Sequence, residues 1–250
     1  MQNIFTEVQN YWTRRSTTYS ISNNREYSQW QNKAYTDIFI HHLPKGSGLN
    51  VLDIGCGPGF FTMLIAAMGH QVTGIDLTGE MLVKATHNLI EHRLCANFMP
   101  MNAQSLNFED NTFDVAVSRN LTWNLPDPHT AYREWYRVLK PGGLLLNFDA
   151  NWYRYLYQSD TKNLYHHDRQ LVEKMGYNDP VTKEMAKTME QLAMDLPLSR
   201  VDRPEWDTAI LTKIGFSEVF VDKHIGEQIY TSQEKVLYRT ARPFLLSATK

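Results

Sequence analysis

The chain has 250 residues, 42% of them apolar, with 25 basic against 27 acidic residues and a net charge of −2. That length can bury one substantial core, and no apolar run approaches the roughly 18 to 20 residues of a membrane helix. The charge balance, with no basic run longer than Arg14-Arg15, argues against a nucleic-acid partner, for which phosphate contacts dominate affinity, and against a membrane partner; a small molecule is expected instead.

The N-terminal stretch MQNIFTEVQNYW lacks the apolar core of a signal peptide, so a cytoplasmic location is expected. In YWTRRSTTY, helical spacing puts Tyr11, Arg15 and Tyr19 on one face, one turn apart. Val51, Leu52 and Ile54 then form a short buried-strand run that enters three alternate glycines, Gly55, Gly57 and Gly59. A ligand can lie against bare main chain there, and a helix from about Phe60 to Met68, ended by Gly69, points its unpaired N–H groups at the same spot. A dinucleotide site wants G-x-G-x-x-G; Phe60 stands where its third glycine would be, and Asp53 precedes the turn. That carboxylate would repel a pyrophosphate and accept from an ammonium or a bound water. Cys56 lies inside the turn, where a disulfide to Cys95 would crowd the ligand, so both cysteines are expected to be reduced.

Gln71 to Asp76 reads as a second strand whose terminal acid is placed for ribose hydroxyls; the alternative is that Asp76 only starts a turn. Thr78 is a candidate cap for a helix whose Met81, Leu82, Ala85 and Leu89 form a core stripe. A third strand, about Asn97 to Met101, leads to Asn102, Ala103 and Gln104, and a fourth, Phe113 to Ser118, opens into Arg119 and Asn120. Ligand crevices lie at such carboxyl ends. Asp127 caps a helix begun by Pro128, and VLKPGG turns the chain into a fifth strand, Leu144 to Asp149.

This order of parts, with D-x-G-x-G-x-G at Asp53 to Gly59, resembles the class I S-adenosylmethionine-dependent methyltransferases, in the small-molecule branch of ubiquinone and menaquinone biosynthesis. The resemblance covers about residues 10 to 150 and resumes near the end. It implies a Rossmann-like α/β fold: a seven-stranded, mostly parallel sheet of order 3-2-1-4-5-7-6 with helices on both faces and a helical cap after the fifth strand. A single domain is expected, with lid helices at 1–45, a cofactor half at 46–150, a substrate cap at 151–207 and a final helix and hairpin at 208–250. The resemblance further implies S-adenosylmethionine as cofactor and S-adenosylhomocysteine as product. Cofactor contacts are expected from Asp53, Gly55, Cys56, Gly57, Gly59, Asp76, Leu77, Asn102, Ala103, Gln104, Arg119 and Asn120. Relatives usually carry Asp where Asn102 stands, to meet the adenine amino group; an Asn carbonyl can also accept. A similar YW-x-x-R segment folds over the open face in that family, so Arg15 or Tyr19 is expected at the cofactor carboxylate and Tyr11 beside the reacting centre. Packing of these aromatics onto the sheet is the equal alternative.

The passage from about Asn151 to Asp207 is longer than a crossover needs, hence a cap. Its FDANWYRYLY start fits strand or helix, and Val181 to Leu196 reads as an amphipathic helix with Met185, Met189, Leu192 and Met194 or Leu196 inward. A base is needed only for a protonated nucleophile; the candidates are His166, His167, Asp149 and His129. No His-x-x-x-His or Cys-x-x-Cys pair is present nearby, so no metal is expected. Trp206 to Phe216 forms the last helix, followed by strands at Ser217 to His224 and Phe244 to Thr249. Three rivals to methyl transfer stay open: transfer of another group from the same kind of cofactor, a binding protein without catalysis, and a nicotinamide oxidoreductase. The acceptor atom and the choice between monomer and homodimer are open as well.

Overall fold

Alternation along the strands decides how the sheet is clothed. In the computed structural model, which describes residues 2–176 and 181–250, strand β1 (Asn50–Ile54) sends Leu52 and Ile54 to one face and Val51 to the other. Strand β4 (Phe113–Arg119) sends Ala116 to the first face and Val115 and Val117 to the second. Both faces are apolar, as a parallel sheet covered on two sides requires.

Seven strands join in the order β3-β2-β1-β4-β5-β7-β6. The others are β2 (Gln71–Asp76), β3 (Asn97–Pro100), β5 (Leu139–Asp149), β6 (Ser217–Asp222) and β7 (Phe244–Thr249). The first five pair in parallel, and β7 runs antiparallel between β5 and β6. This is the expected topology. Helices α1 (Gln2–Tyr27), α2 (Trp30–His42), α3 (Phe60–Ala67), α4 (Gly79–Glu91) and α5 (Pro128–Val138) come before or between the first five strands. Helices α6 (Ser159–Lys174), α7 (Lys183–Ala193) and α8 (Glu205–Ile214) separate β5 from β6, and short α9 (Ile225–Ile229) and α10 (Ser232–Leu237) separate β6 from β7.

Trp135 and Tyr132 of α5, with Leu211 of α8, fill one face, while Phe39 of α2 and Phe60, Phe61, Leu64 and Ile65 of α3 fill the other. Helix α3 is buried nearly all round, which explains a sequence apolar at every position but Thr62. Asp127 accepts from the Thr130 N–H and caps α5 as its sequence indicates. Thr78 occupies the N-cap position of α4, but its hydroxyl caps nothing; its own N–H donates to Asp76 instead.

Two expectations change. VLKPGG is not a plain turn: β5 already pairs at Leu139, and residues 140–143 bulge out opposite Asp114 before pairing resumes at Leu144 with Val115. The ambiguous start of the 151–207 passage is neither strand nor α-helix but a 3-10 turn, Arg154–Tyr157. In α7, Met189 and Leu192 are buried with Leu196 just beyond the helix, whereas Met194 is exposed. These residues meet Val8 and Tyr11 of α1 and Trp123, forming a third core that ties the N-terminal helix to the rest of the fold. Among the described residues no helix is long and apolar enough to cross a membrane.

Candidate functional site

At the carboxyl ends of β1, β2 and β4 lies a cleft of about 740 Å³, counting its open mouth. Gly55, Gly57, Asp76, Leu77, Asn102, Ala103, Arg119 and Asn120 line its floor and sides, and Tyr19 closes it from α1. All nine are residues expected at the cofactor from sequence. Phe5, Val8, Gln9 and Trp12 of α1 line the same space and were not anticipated. Helical periodicity gave the signal, since positions 5, 8, 12 and 19 recur on one face.

The glycine turn explains itself in conformational terms. Gly55, Gly57 and Gly59 have φ values of 68°, 53° and 89°, in the left-handed region that other residues enter at a cost. A Cβ on Gly55 would lie 2.7 Å from the Leu121 side chain, which itself lines the cleft. Gly59 serves packing instead: a Cβ there would press on Ala85 of α4 at 3.2 Å. Cys56 is buried behind the turn, with its Sγ 3.7 Å from the Gly57 carbonyl, and both cysteines are unpaired.

Asp76 sits at the tip of β2, with Oδ2 accepting from the Gly57 N–H at 3.0 Å and Oδ1 from the Thr78 N–H at 2.8 Å. Burial pushes its pKa up, and these two N–H groups pull it back. Each oxygen retains acceptor capacity for a ligand hydroxyl. Asp53 is different. It is 2% exposed, takes the Thr62 hydroxyl at 2.6 Å and does not line the cleft. Burial pushes its carboxyl up to about 7, so its place is beneath the turn rather than against a ligand.

Asn102 lines the cleft, yet its Oδ1 already accepts the Gln104 N–H at 2.9 Å. Gln104 faces away and accepts the Asp127 N–H, joining this loop to α5. Arg15 is buried and lines an adjoining chamber rather than the cleft.

That chamber, about 1570 Å³ with its mouth, shares Tyr19, Arg119 and Asn120 with the cleft. Its other walls include Glu26 and Gln31 from the N-terminal helices, Tyr35, Trp152, Tyr230 and Glu234. Glu26 and Gln31 escaped sequence reasoning, although Glu26 stands seven residues beyond Tyr19 and so on its helical face. The Arg119 guanidinium lies 4.5 Å from the Phe60 ring centre and 5.0 Å from that of Tyr35, an attractive arrangement for a cation. Its Nη2 meets Glu26 at 2.5 Å. Burial works against its charge and is outweighed by Glu26 together with Tyr35 and Tyr19, so its pKa lies well above the ordinary value. Burial likewise pushes Glu26 up against the pull of Arg119.

The expected proton acceptors are elsewhere. Asp149 is 2% exposed and accepts from Arg203 Nη1 at 2.8 Å, the Trp123 N–H at 3.0 Å and Trp152 Nε1 at 3.1 Å. Those bonds, with the Ala150 N–H, engage both of its oxygens, and it borders a small pocket that shares Arg119 and Asn120 with the chamber. His166 and His167 lie on the exposed side of α6, whose buried side carries Tyr165, Asp168 and Val172, and His167 leans on Asp168. Tyr11 belongs to the third core. His129, in the first turn of α5, borders neither space. Among the described residues, no histidine lines the cleft or the chamber, and no group of three or more His, Cys, Asp or Glu could hold a metal ion.

Residues 52–147, the stretch that forms the cleft floor, match a family model described as a methyltransferase domain. Over that stretch the chain is similar to methyltransferase domains. The 2-methyl-6-phytyl-1,4-hydroquinone methyltransferase of a Synechocystis strain is 35% identical over 121 residues, 45% of this chain and 38% of that protein. A malonyl-[acyl-carrier protein] O-methyltransferase of Erwinia billingiae is 39% identical over 105 residues, 42% of this chain and 40% of that protein. The chain spans less than half the length of these relatives. Beyond the methyltransferase domain the fold is shared more widely: the phosphoethanolamine N-methyltransferase 2 of Haemonchus contortus, solved with phosphomonomethylethanolamine and S-adenosylhomocysteine, superposes over 88% of this chain and 52% of its own, with a TM-score of 0.58 and 19% identity.

Proposed function

We propose that this protein transfers a methyl group from S-adenosylmethionine to a small molecule. One observation carries the reading: a glycine-floored cleft bordered by the half-buried Asp76 carboxylate opens into a second, aromatic chamber through Tyr19, Arg119 and Asn120.

The residues of the cleft suit this cofactor. Two glycines expose main chain at its floor, Asp76 keeps acceptor capacity for ribose hydroxyls, and Ala103 and Leu77 offer apolar contact for a base. The sulfonium methyl is already activated for displacement, so what the chain must supply is position and dryness. Tyr19, from α1, stands over Gly57, with a Cβ on that glycine 3.6 Å from its ring. Helix α1 is pinned to the loop after β2 by Gln9 donating to the Leu77 carbonyl and to α4 by Asn24 donating to Asn88, so it roofs the cleft and keeps water out. Glu26 and Tyr19 stand at the chamber side and orient what enters it. The two cysteines, both unpaired, support a reducing, cytoplasmic setting.

Titration calorimetry with S-adenosylmethionine tests the reading. The wild-type protein binds it, and Asp76→Ala weakens binding by about 1–3 kcal/mol, the worth of hydrogen bonds to a charged group. Equal affinity in the variant removes Asp76 from the ribose, and no binding by the wild type ends the proposal.

A further inference from the structure

The chamber holds an anomaly that cofactor binding leaves unused. Arg119 offers donors from three nitrogens, and Glu26 occupies Nη2 alone; Nε and Nη1 are buried without a partner among the described residues. Gln31, 4% exposed, lines the same chamber with its Oε1 likewise unpartnered. Folded proteins satisfy nearly all buried polar atoms, and unmet donors on a permanent cation are the costliest kind. The Phe60 and Tyr35 rings lie against the guanidinium and hold the cation in place.

We propose that the methyl acceptor is a flat carboxylic acid whose carboxylate is held by Arg119, with Gln31 taking an O–H or N–H of the same molecule. This rests on the methyltransferase reading and names its substrate class. Arginine N–H groups match carboxylate oxygens in geometry and charge. Phosphate fits less well, because the Glu26 carboxylate shares this guanidinium and repels a dianion more strongly than a monoanion. Tyr19, Tyr35, Trp152 and Tyr230 give the chamber aromatic walls, suited to a planar body.

Binding to the protein saturated with S-adenosylhomocysteine is measured by calorimetry for two acid and amide pairs: 4-hydroxybenzoate with 4-hydroxybenzamide, and 3-(4-hydroxyphenyl)propanoate with its amide. In at least one pair the acid binds about tenfold or more tighter than the amide, and Arg119→Met removes that preference with a larger loss for the acid than for S-adenosylhomocysteine. Arg119→Lys keeps the cation without the fork and retains part of the preference; it also serves if the Met variant fails to fold. The proposal is overturned if neither acid binds, if acids and amides bind alike, or if Arg119→Met weakens S-adenosylhomocysteine as much as the acid, which would assign Arg119 to the cofactor. Failure of the wild type to bind S-adenosylhomocysteine at all would instead sink the methyltransferase reading.

Discussion

Arg203 reaches Asp149 with its Nη1 2.8 Å from Oδ2, and neither side chain has any exposure. The same guanidinium clamps Asp207 through Nε at 2.8 Å and Nη2 at 2.7 Å, and Asp207 also accepts the Tyr132 hydroxyl at 2.5 Å. One cation thus joins the end of β5 to the start of α8. Removing it leaves two buried carboxylates facing each other, so Arg203→Met should destabilise the fold by about 3–5 kcal/mol in urea unfolding. Adding Asp149→Asn to that variant should recover part of the loss. A stability within experimental error of wild type would show the cluster to be dispensable.

Asp53 predicts a pH dependence of definite sign. Its carboxyl titrates near 7 in the fold against an ordinary value of 3.8, so between those values the native state holds a proton that the unfolded chain has released. Stability from this group is therefore full below about pH 4 and is lost as pH rises through 7. Asp53→Asn keeps an acceptor for Thr62 and cannot ionise. Chemical denaturation at pH 5 and pH 8.5 should find the variant gaining on wild type at the higher pH. A constant difference between the two pH values would refute the assignment.

Gly55→Ala tests the turn. The added methyl meets Leu121 at 2.7 Å on a backbone with φ of 68°, and Leu121 has the cleft as its free direction. S-adenosylhomocysteine affinity should fall about tenfold or more, with a strain cost to stability of about 1–2 kcal/mol. Full affinity would mean that the loop tolerates a side chain and that its floor is not the ligand's.

Much of this was readable in the sequence because burial writes itself into spacing. Strands covered on both faces must be short apolar runs, which is why β1, β2 and β4 followed from Val51, Gln71 and Phe113 onward, whereas the order of the sheet came from the resemblance to methyltransferases. The residues 140–143 bulge was read as a turn since glycine and proline mark both. The candidate bases lie outside the cleft and the chamber for a different reason. Tyr165, Asp168 and Val172 at spacings of three and four define the buried side of α6, and that pattern already sets His166 and His167 outward; chemical type was given more weight than periodicity. Nothing local revealed Asp149's role, because its partner Arg203 stands 54 residues away. Glu26 and Gln31 went unread because a chamber wall has no motif of its own.

The outward histidines give a control. His166→Ala and His167→Ala, alone or together, should leave methyl transfer within about twofold of wild type once an acceptor is in hand, as surface changes usually do. A loss of kcat by about a hundredfold with unchanged KM would restore them as proton acceptors.

Helix α1 forms a wall of both the cleft and the chamber, through Trp12 and Tyr19 on one side and Glu26 on the other. Two ligands that share one roof share the entropy of closing it. A first ligand that restrains this helix leaves less ordering for the second, which couples the two affinities without any contact between the ligands. Linkage makes that coupling reciprocal: S-adenosylhomocysteine should tighten acceptor binding by the same factor as acceptor tightens S-adenosylhomocysteine.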